Sequence, residues 1–181
     1  MALLPFIHRV TSNVSLSSED ARIAMTAMLS GQASEIQIAA FLVALKMKGE
    51  TAAELAGFAR AMREHMIVVD TGLDVIDSSG TGGDGSGTFN ISTATALVLS
   101  GAGAKVAKHG NRSLATSSGS ADVLEALGVR IALTPDEARS AIQQIGIGFL
   151  FAPNLHPSMK HAQPVRRELK IRTAMNFLGP L

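Results

Sequence analysis

Five glycines, Gly80, Gly82, Gly83, Gly85 and Gly87, fall within eight positions of this chain. Such density is too high for one turn and too short for a flexible linker. It predicts a loop that wraps a ligand with its backbone, because glycine reaches the φ > 0 angles that aim consecutive N–H groups at one point. Residues 74–77 read as a short strand running into this loop, and residues 92–100 as a helix of small residues leaving it. That order places the positive end of a helix beside the loop, an arrangement that favours an anion. Asn90, Ser92 and Thr93 add short polar side chains at the helix entry, suited to phosphate or to a metal-bound water. The loop is not a Walker loop, since no Gly-Lys-Ser/Thr follows, and G-x-G-x-x-G fails here too.

The pattern then alternates. Strands are predicted over 105–107, 129–133 and 147–151. Helices are predicted over 121–127, closed by Gly128, and from Thr134-Pro135-Asp136-Glu137, which combines an N-cap, a first-turn proline and a reaching glutamate. Alternating strands and helices with short connections predict a mainly parallel α/β sheet of four strands. A second polar segment, Lys108-His109-Gly110-Asn111-Arg112-Ser113, follows the second of these strands, and Thr116-Ser117-Ser118-Gly119-Ser120 precedes the next helix. Ligands in open α/β folds bind outside the carboxyl ends of the strands, so both polar loops are expected on one edge. Lys108 and Arg112 would offset phosphate charge there. No Ser/His/Asp set and no carboxylate pair is apparent, which argues against covalent nucleophilic catalysis.

The front of the chain reads differently. Ser17-Ser18-Glu19-Asp20 opens a helix with Ile23, Met25, Met28 and Leu29 on its apolar face and a stop at Gly31. Ser34 with Gln37 opens a second, through Ile38, Phe41, Leu42 and Leu45 to Gly49. Thr51 with Glu54 opens a third, through Leu55, Phe58, Ala59 and Met62 to about His65. These predict a small helical bundle. The first ten residues read as an apolar run interrupted by Pro5, His8 and Arg9. Residues 159–177 return to short amphipathic helices. The expected division is a helical domain over 1–70, joined by helices in 160–178, and an α/β domain over 71–159.

Composition narrows the classes of function. Sixteen Lys/Arg against fifteen Asp/Glu leave a net charge of +1, and the chain has no Trp or Tyr. That removes the basic surface and the stacking platforms on which nucleic-acid binding relies. The chain has no Cys, which excludes disulfides and a thiolate nucleophile. No stretch approaches the ~18 apolar residues of a membrane span, and no basic leader precedes the first apolar run. A cytoplasmic protein with small-molecule substrates is expected.

Read together, GTGGDGSGTFNIST, KHGNRS, GSADVLEALG, HPSMKHAQPVRREL and RTAMNFLGPL resemble the anthranilate phosphoribosyltransferase family, in order and over nearly the whole chain. The resemblance implies a helical domain joined to a nucleoside phosphorylase/phosphoribosyltransferase-like α/β domain. It implies transfer of the phosphoribosyl group from phosphoribosyl pyrophosphate (PRPP) to the amine of anthranilate, releasing pyrophosphate with help from Mg²⁺, in tryptophan biosynthesis. It places PRPP against Gly80, Gly83, Asp84, Thr88, Asn90, Ile91, Ser92 and Thr93, along Lys108, His109, Gly110, Asn111, Arg112, Ser113, Leu114, Ala115 and Thr116, and at Ser120, with Ser92 as a metal contact. Anthranilate would meet Gly80, Asn111 and Arg166, with His109, His156 and Pro180 lining its approach. Lys108, His109 and Arg166 would carry the catalytic roles. A guanidinium suits Arg166 to a planar carboxylate, which it holds bidentately. The resemblance also implies a homodimer formed through the helical domain, to which Met25, Met28 and Met47 would contribute if they do not fill the core.

Two departures stand out. Where the family continues with two serines and a lysine after KHGNRS, this chain has Leu114-Ala115-Thr116-Ser117, losing a hydroxyl donor and a positive charge. Family members are longer, and the Asp-Glu pair that holds their Mg²⁺ lies beyond position 181, with the rest of the sheet. The resemblance therefore implies a chain that lacks part of its metal site. Two alternatives stay open: a pyrimidine nucleoside phosphorylase-like enzyme, with a related glycine loop, and a non-catalytic nucleic-acid-binding paralogue, whose mark would be a basic stripe through Arg22, Lys46, Lys48, Arg60 and Arg63.

Overall fold

The computed structural model describes residues 2–81, 87–113 and 118–179. The chain divides into two units: one runs to Met66 and resumes over Pro157–Gly179, and the other spans Ile67–His156.

Capping chemistry sets the helices of the first unit. Helix α1 covers Leu4–Thr11, with Pro5 in its first turn. A proline fits there, because the missing N–H falls where a helix has no internal acceptor to lose. Helix α2 (Ser18–Leu29) is capped by Ser17, whose side chain accepts from the Asp20 N–H, and α3 (Glu35–Lys48) by Ser34, which accepts from the Gln37 N–H. Helix α4 (Ala52–Glu64) opens with the reciprocal box of Thr51 and Glu54. Ala21, Met25, Met28, Leu29, Ile38, Phe41, Leu42, Leu45 and Phe58 fill the core. Ile23, expected on the inner face of α2, is 45% exposed. It lies two residues from both Ala21 and Met25, so the 3.6-residue period turns it outward. Of the methionines considered for a dimer surface, Met25 and Met28 are fully buried and Met47 is 84% exposed.

Helix α4 lies against α2 at Gly57, where a Cβ would come within 2.8 Å of the Ala21 Cβ. Glu54 is also wholly buried. Its carboxylate accepts from the Leu16 N–H at 2.9 Å, the Thr51 N–H at 2.8 Å and the Lys48 ammonium at 2.9 Å, tying together the starts of α2 and α4 and the end of α3.

In the second unit, α5 (Ile91–Gly101) leads to β1 (Val106–Gly110), then α6 (Ser120–Ala126), α7 (Pro135–Ile145), β2 (Ile147–Phe151) and the single turn α8 (Ala152–Leu155). Strand β1 pairs in parallel with β2, in the register Val106↔Ile147 through Gly110↔Phe151. On its other side Ile76 forms one parallel bridge to Val106. The strand expected over 74–77 is thus reduced to that bridge.

The strand expected over 129–133 does not form. The Val129 N–H turns back to the Leu124 carbonyl and the Leu133 N–H to the Ile131 carbonyl, so local turns take the donors a ladder would need. Ala121, Leu124, Ile131 and Phe149 make the core under β1 and β2. In the first unit, a 3-10 turn at Pro157–His161, α9 (Gln163–Leu169) and a 3-10 turn at Ala174–Asn176 pack Ala162, Val165, Ala174 and Met175 into the bundle core. No helix among the described residues is long and apolar enough to cross a membrane.

Candidate functional site

Strand β1 delivers Lys108 and His109 to the edge where the chain from Ile76 enters the glycine loop. Lys108 is only 3% exposed. Its ammonium donates to Ser79 Oγ at 3.0 Å and to the His109 carbonyl at 2.6 Å. Burial pushes its pKa down, against the charge of Asp77, which holds it up. Ser78 Oγ donates to the Ser92 carbonyl at 2.8 Å, fastening the loop entry to the first turn of α5.

Asn90 precedes α5 but does not cap it. Its Nδ2 donates instead to the Ser118 carbonyl, and Ser118 Oγ donates to Asn90 Oδ1, each at 3.2 Å. One side chain thus straps the helix entry after the glycine loop to the polar segment before α6. Thr93 Oγ1 is buried on the first turn of α5 with no hydrogen-bond partner among the described residues. A helix start without a side-chain cap, with an orphaned hydroxyl beside it, suits an anionic ligand.

The segment after β1 is held by α6. Asp122 accepts from the Ser113 N–H at 3.1 Å and the Gly119 N–H at 2.7 Å, and these two donors hold its carboxyl below the usual carboxylate range. Asn111 is exposed, with its carbonyl taken by the Ala121 N–H. Only glycine fits at position 119, because a Cβ there would lie 2.5 Å from the Ser113 nitrogen and 2.6 Å from the Asn111 carbonyl. At Gly110 an added Cβ would meet Ser120 Oγ and the Phe149 ring. Arg112, expected to offset phosphate charge, has its guanidinium on Glu125, with Asp122 at 3.5 Å.

The structure brings two predicted histidines together. The rings of His109 and His156 meet edge to face with centroids 5.9 Å apart. Burial pushes the pKa of each below the ordinary value; the neighbouring positive charges of Lys108 and His109, respectively, add to this, while Asp77 opposes it at His109. His109 Nε2 is buried without a hydrogen-bond partner among the described residues. Arg166 stands half-buried on α9, in the other unit, and burial lowers its pKa. Gly80 and Thr88 are exposed at the two ends of the glycine loop, with Ile91 exposed on α5. Gly83, Asp84, Leu114, Ala115, Thr116 and Pro180 lie outside the described residues.

Among the described residues no three His, Asp or Glu side chains gather as a metal cluster. Ser92, half-buried on the first turn of α5, supplies one hydroxyl oxygen of the kind Mg²⁺ accepts beside water and phosphate oxygens. Two residues that carry the geometry, Asp77 and Ser79, were not legible as site residues. Asp77 read as the last residue of a strand and Ser79 as part of the run into the glycine loop, and their partners Lys108 and His109 lie 29 and 32 residues on.

Residues 72–181 match the glycosyl transferase family, a/b domain, and residues 4–66 match the glycosyl transferase family, helical bundle domain. An anthranilate phosphoribosyltransferase of Solibacter usitatus is 56% identical over 184 residues, which cover 100% of this chain and 54% of that relative. The crystal structure of anthranilate phosphoribosyltransferase from Thermus thermophilus matches with a TM-score of 0.90 at 44% identity, over 99% of this chain and 54% of that one. The Saccharomyces cerevisiae enzyme in complex with PRPP and Mg matches with a TM-score of 0.89 at 33% identity, over 98% of this chain and 54% of that one. The chain spans about half the length of the curated relatives it matches.

Proposed function

The chain belongs to the glycosyl transferase family, and from that premise we propose that it supplies the donor-binding edge and helical unit of a cytoplasmic anthranilate phosphoribosyltransferase. The reaction breaks the bond between ribose C1 and the pyrophosphate oxygen of PRPP and joins C1 to the anthranilate nitrogen. The departing pyrophosphate keeps the electron pair, and the amine gives up a proton.

The observation that supports this reading is the double fastening of the two polar segments. Ser79 meets Lys108 and the His109 carbonyl, and Asn90 meets Ser118. Both segments therefore serve one edge at the carboxyl end of β1, where a sugar diphosphate is held by the uncapped start of α5, the Thr93 hydroxyl and Lys108. Negative charge grows on the leaving pyrophosphate, and fixed donors that meet it there lower the barrier without reorganising. Mg²⁺, when bound, neutralises diphosphate charge, and Ser92 is the residue that would contact it. Arg166 is the residue whose guanidinium would hold the anthranilate carboxylate, and within the α/β unit the paired rings of His109 and His156 stand at the end of β1. An aniline-type nitrogen is uncharged near neutral pH, so positioning supplies what a strong base otherwise would. The exposed Met47 on α3 fits a homodimer formed through the helical unit.

The nucleic-acid alternative needed a free basic stripe. Arg22 is paired with Glu19 and Glu64, and Lys48 is buried against Glu54, so neither contributes to one. Calorimetry tests the proposal against the phosphorylase alternative. The chain is offered PRPP with Mg²⁺ and anthranilate, and separately thymidine with phosphate. Saturable binding of the first pair is expected, and binding of the second pair alone would overturn the assignment.

A further inference from the structure

Asp77 and Ser79 lie just before the glycine loop and have no part in the reaction as described above. Their bonds converge on the one lysine that does. Asp77 Oδ1 accepts from the Ser79 N–H at 2.9 Å and from the His109 N–H at 3.3 Å, so one carboxylate oxygen fixes both the entry to the loop and the end of β1. Ser79 Oγ lies 2.8 Å from Asp77 Oδ1, 2.6 Å from the His109 carbonyl and 3.0 Å from Lys108 Nζ.

A hydroxyl has one proton to give and lone pairs to accept with, and an ammonium has three protons and no acceptor. The proton count therefore closes in one way around the lysine. Lys108 gives one N–H to Ser79 Oγ and one to the His109 carbonyl, and Ser79 gives its own proton onward, to Asp77 or to that carbonyl. Among the described residues the third N–H of Lys108 has no hydrogen-bond partner. A buried ammonium cannot lean on bulk water for its charge, so it needs such fixed acceptors and a nearby anion. The charged and titratable groups around it are Asp77 from the loop entry, His109 on its own strand, and His156 from the end of α8 against His109. Strand β2 sets the apolar Phe149 beside it in register.

We propose that Asp77 and Ser79 are positioning residues: with Ser79 as the link, the Asp77 carboxylate keeps the Lys108 side chain an ammonium and immobilises two of its N–H groups, so that the third is left for the pyrophosphate. This rests on the donor-site reading above. Asp77 touches no substrate; it acts through Ser79 and Lys108. Without it, no neighbouring negative charge opposes the desolvation that already weighs on Lys108.

The test is a calorimetric titration of the chain with inorganic pyrophosphate between neutral and alkaline pH. The unaltered chain, Ser79→Ala, Ser79→Thr and Asp77→Asn are compared. Ser79→Ala is expected to weaken pyrophosphate binding about tenfold, the effect of one lost charge-assisted hydrogen bond, and Ser79→Thr, which keeps the hydroxyl, to restore it. Asp77→Asn is expected to lose affinity at a lower pH than the unaltered chain, because Lys108 gives up its proton sooner. A role in folding alone would not move that pH midpoint. NMR titration of the Lys108 side-chain nitrogen gives the same comparison without ligand, and its midpoint is expected to fall in Asp77→Asn. An unchanged Lys108 midpoint, or an unchanged pH profile where the unaltered chain binds, overturns the proposal. A failure of the unaltered chain to bind pyrophosphate or PRPP at all overturns the donor-site reading instead and takes this inference with it.

Discussion

Asn90 and Ser118 grip each other by two hydrogen bonds of 3.2 Å, amide to carbonyl and hydroxyl to amide oxygen, across a separation of 28 residues. An asparagine before a helix ordinarily spends its side chain on the helix N–H groups. Here that capacity goes to the second polar segment, and the start of α5 has no side-chain cap.

Asn90→Ala removes both bonds of the strap. Each neutral bond is worth about 1 kcal/mol, so PRPP affinity of the chain is expected to fall about tenfold, measured by calorimetry. The loss should exceed what the accompanying shift in melting temperature accounts for, because the helix cap itself is not being removed.

Glu54 is the electrostatic centre of the helical unit. Burial works against its charge, but the N–H groups of Leu16 and Thr51 and the Lys48 ammonium together hold its carboxyl below the ordinary value of 4.5. A carboxyl depressed in the folded state adds stability above its unfolded pKa and loses it as pH falls through the folded one. Thermal stability is therefore expected to decline as pH drops below 4.5. Glu54→Gln, which leaves Lys48 buried without a countercharge, is expected to cost about 3–5 kcal/mol in denaturant unfolding and to flatten that acid dependence.

His109 and His156 give the opposite chemistry with the same sign. Burial is the first cause in both of a pKa below 6.5. The unfolded chain then takes up protons before the folded one, so stability of this unit falls as pH drops below 6.5. NMR titration of the two imidazoles is expected to give midpoints below that value.

Arg166→Ala is expected to separate the two proposed substrates. It is expected to weaken anthranilate binding at least about tenfold through loss of a bidentate carboxylate contact, and to leave PRPP affinity unchanged. Equal losses for both would remove Arg166 from the anthranilate site.

What the sequence made legible is local. Thr51 with Glu54 and Thr134 with Glu137 form the boxes their spacing implied, because both partners sit within one turn of chain. The parallel pairing of β1 with β2 followed from the alternation of elements. Residues 129–133 misled because Val129 and Ile131 have strand propensity, while the hydrogen bonds that decide their path go to the end of α6 and to a local turn. The site was legible as two motifs but not as a network. Lysines are seldom buried, and nothing near Lys108 in sequence announces that Ser79, 29 residues earlier, accepts its ammonium.

On the proposed function, the segment around the start of α5 and the segment from Lys108 to Ser120 bind one sugar diphosphate together. The direct measurement is an NMR titration of the isotope-labelled chain with PRPP and Mg²⁺, following the backbone amides of Ile91, Ser92 and Thr93 and of His109, Gly110, Ser113 and Gly119. Both sets are expected to shift along one saturation curve with a single midpoint. Shifts confined to one segment, or two curves with separate midpoints, would contradict it.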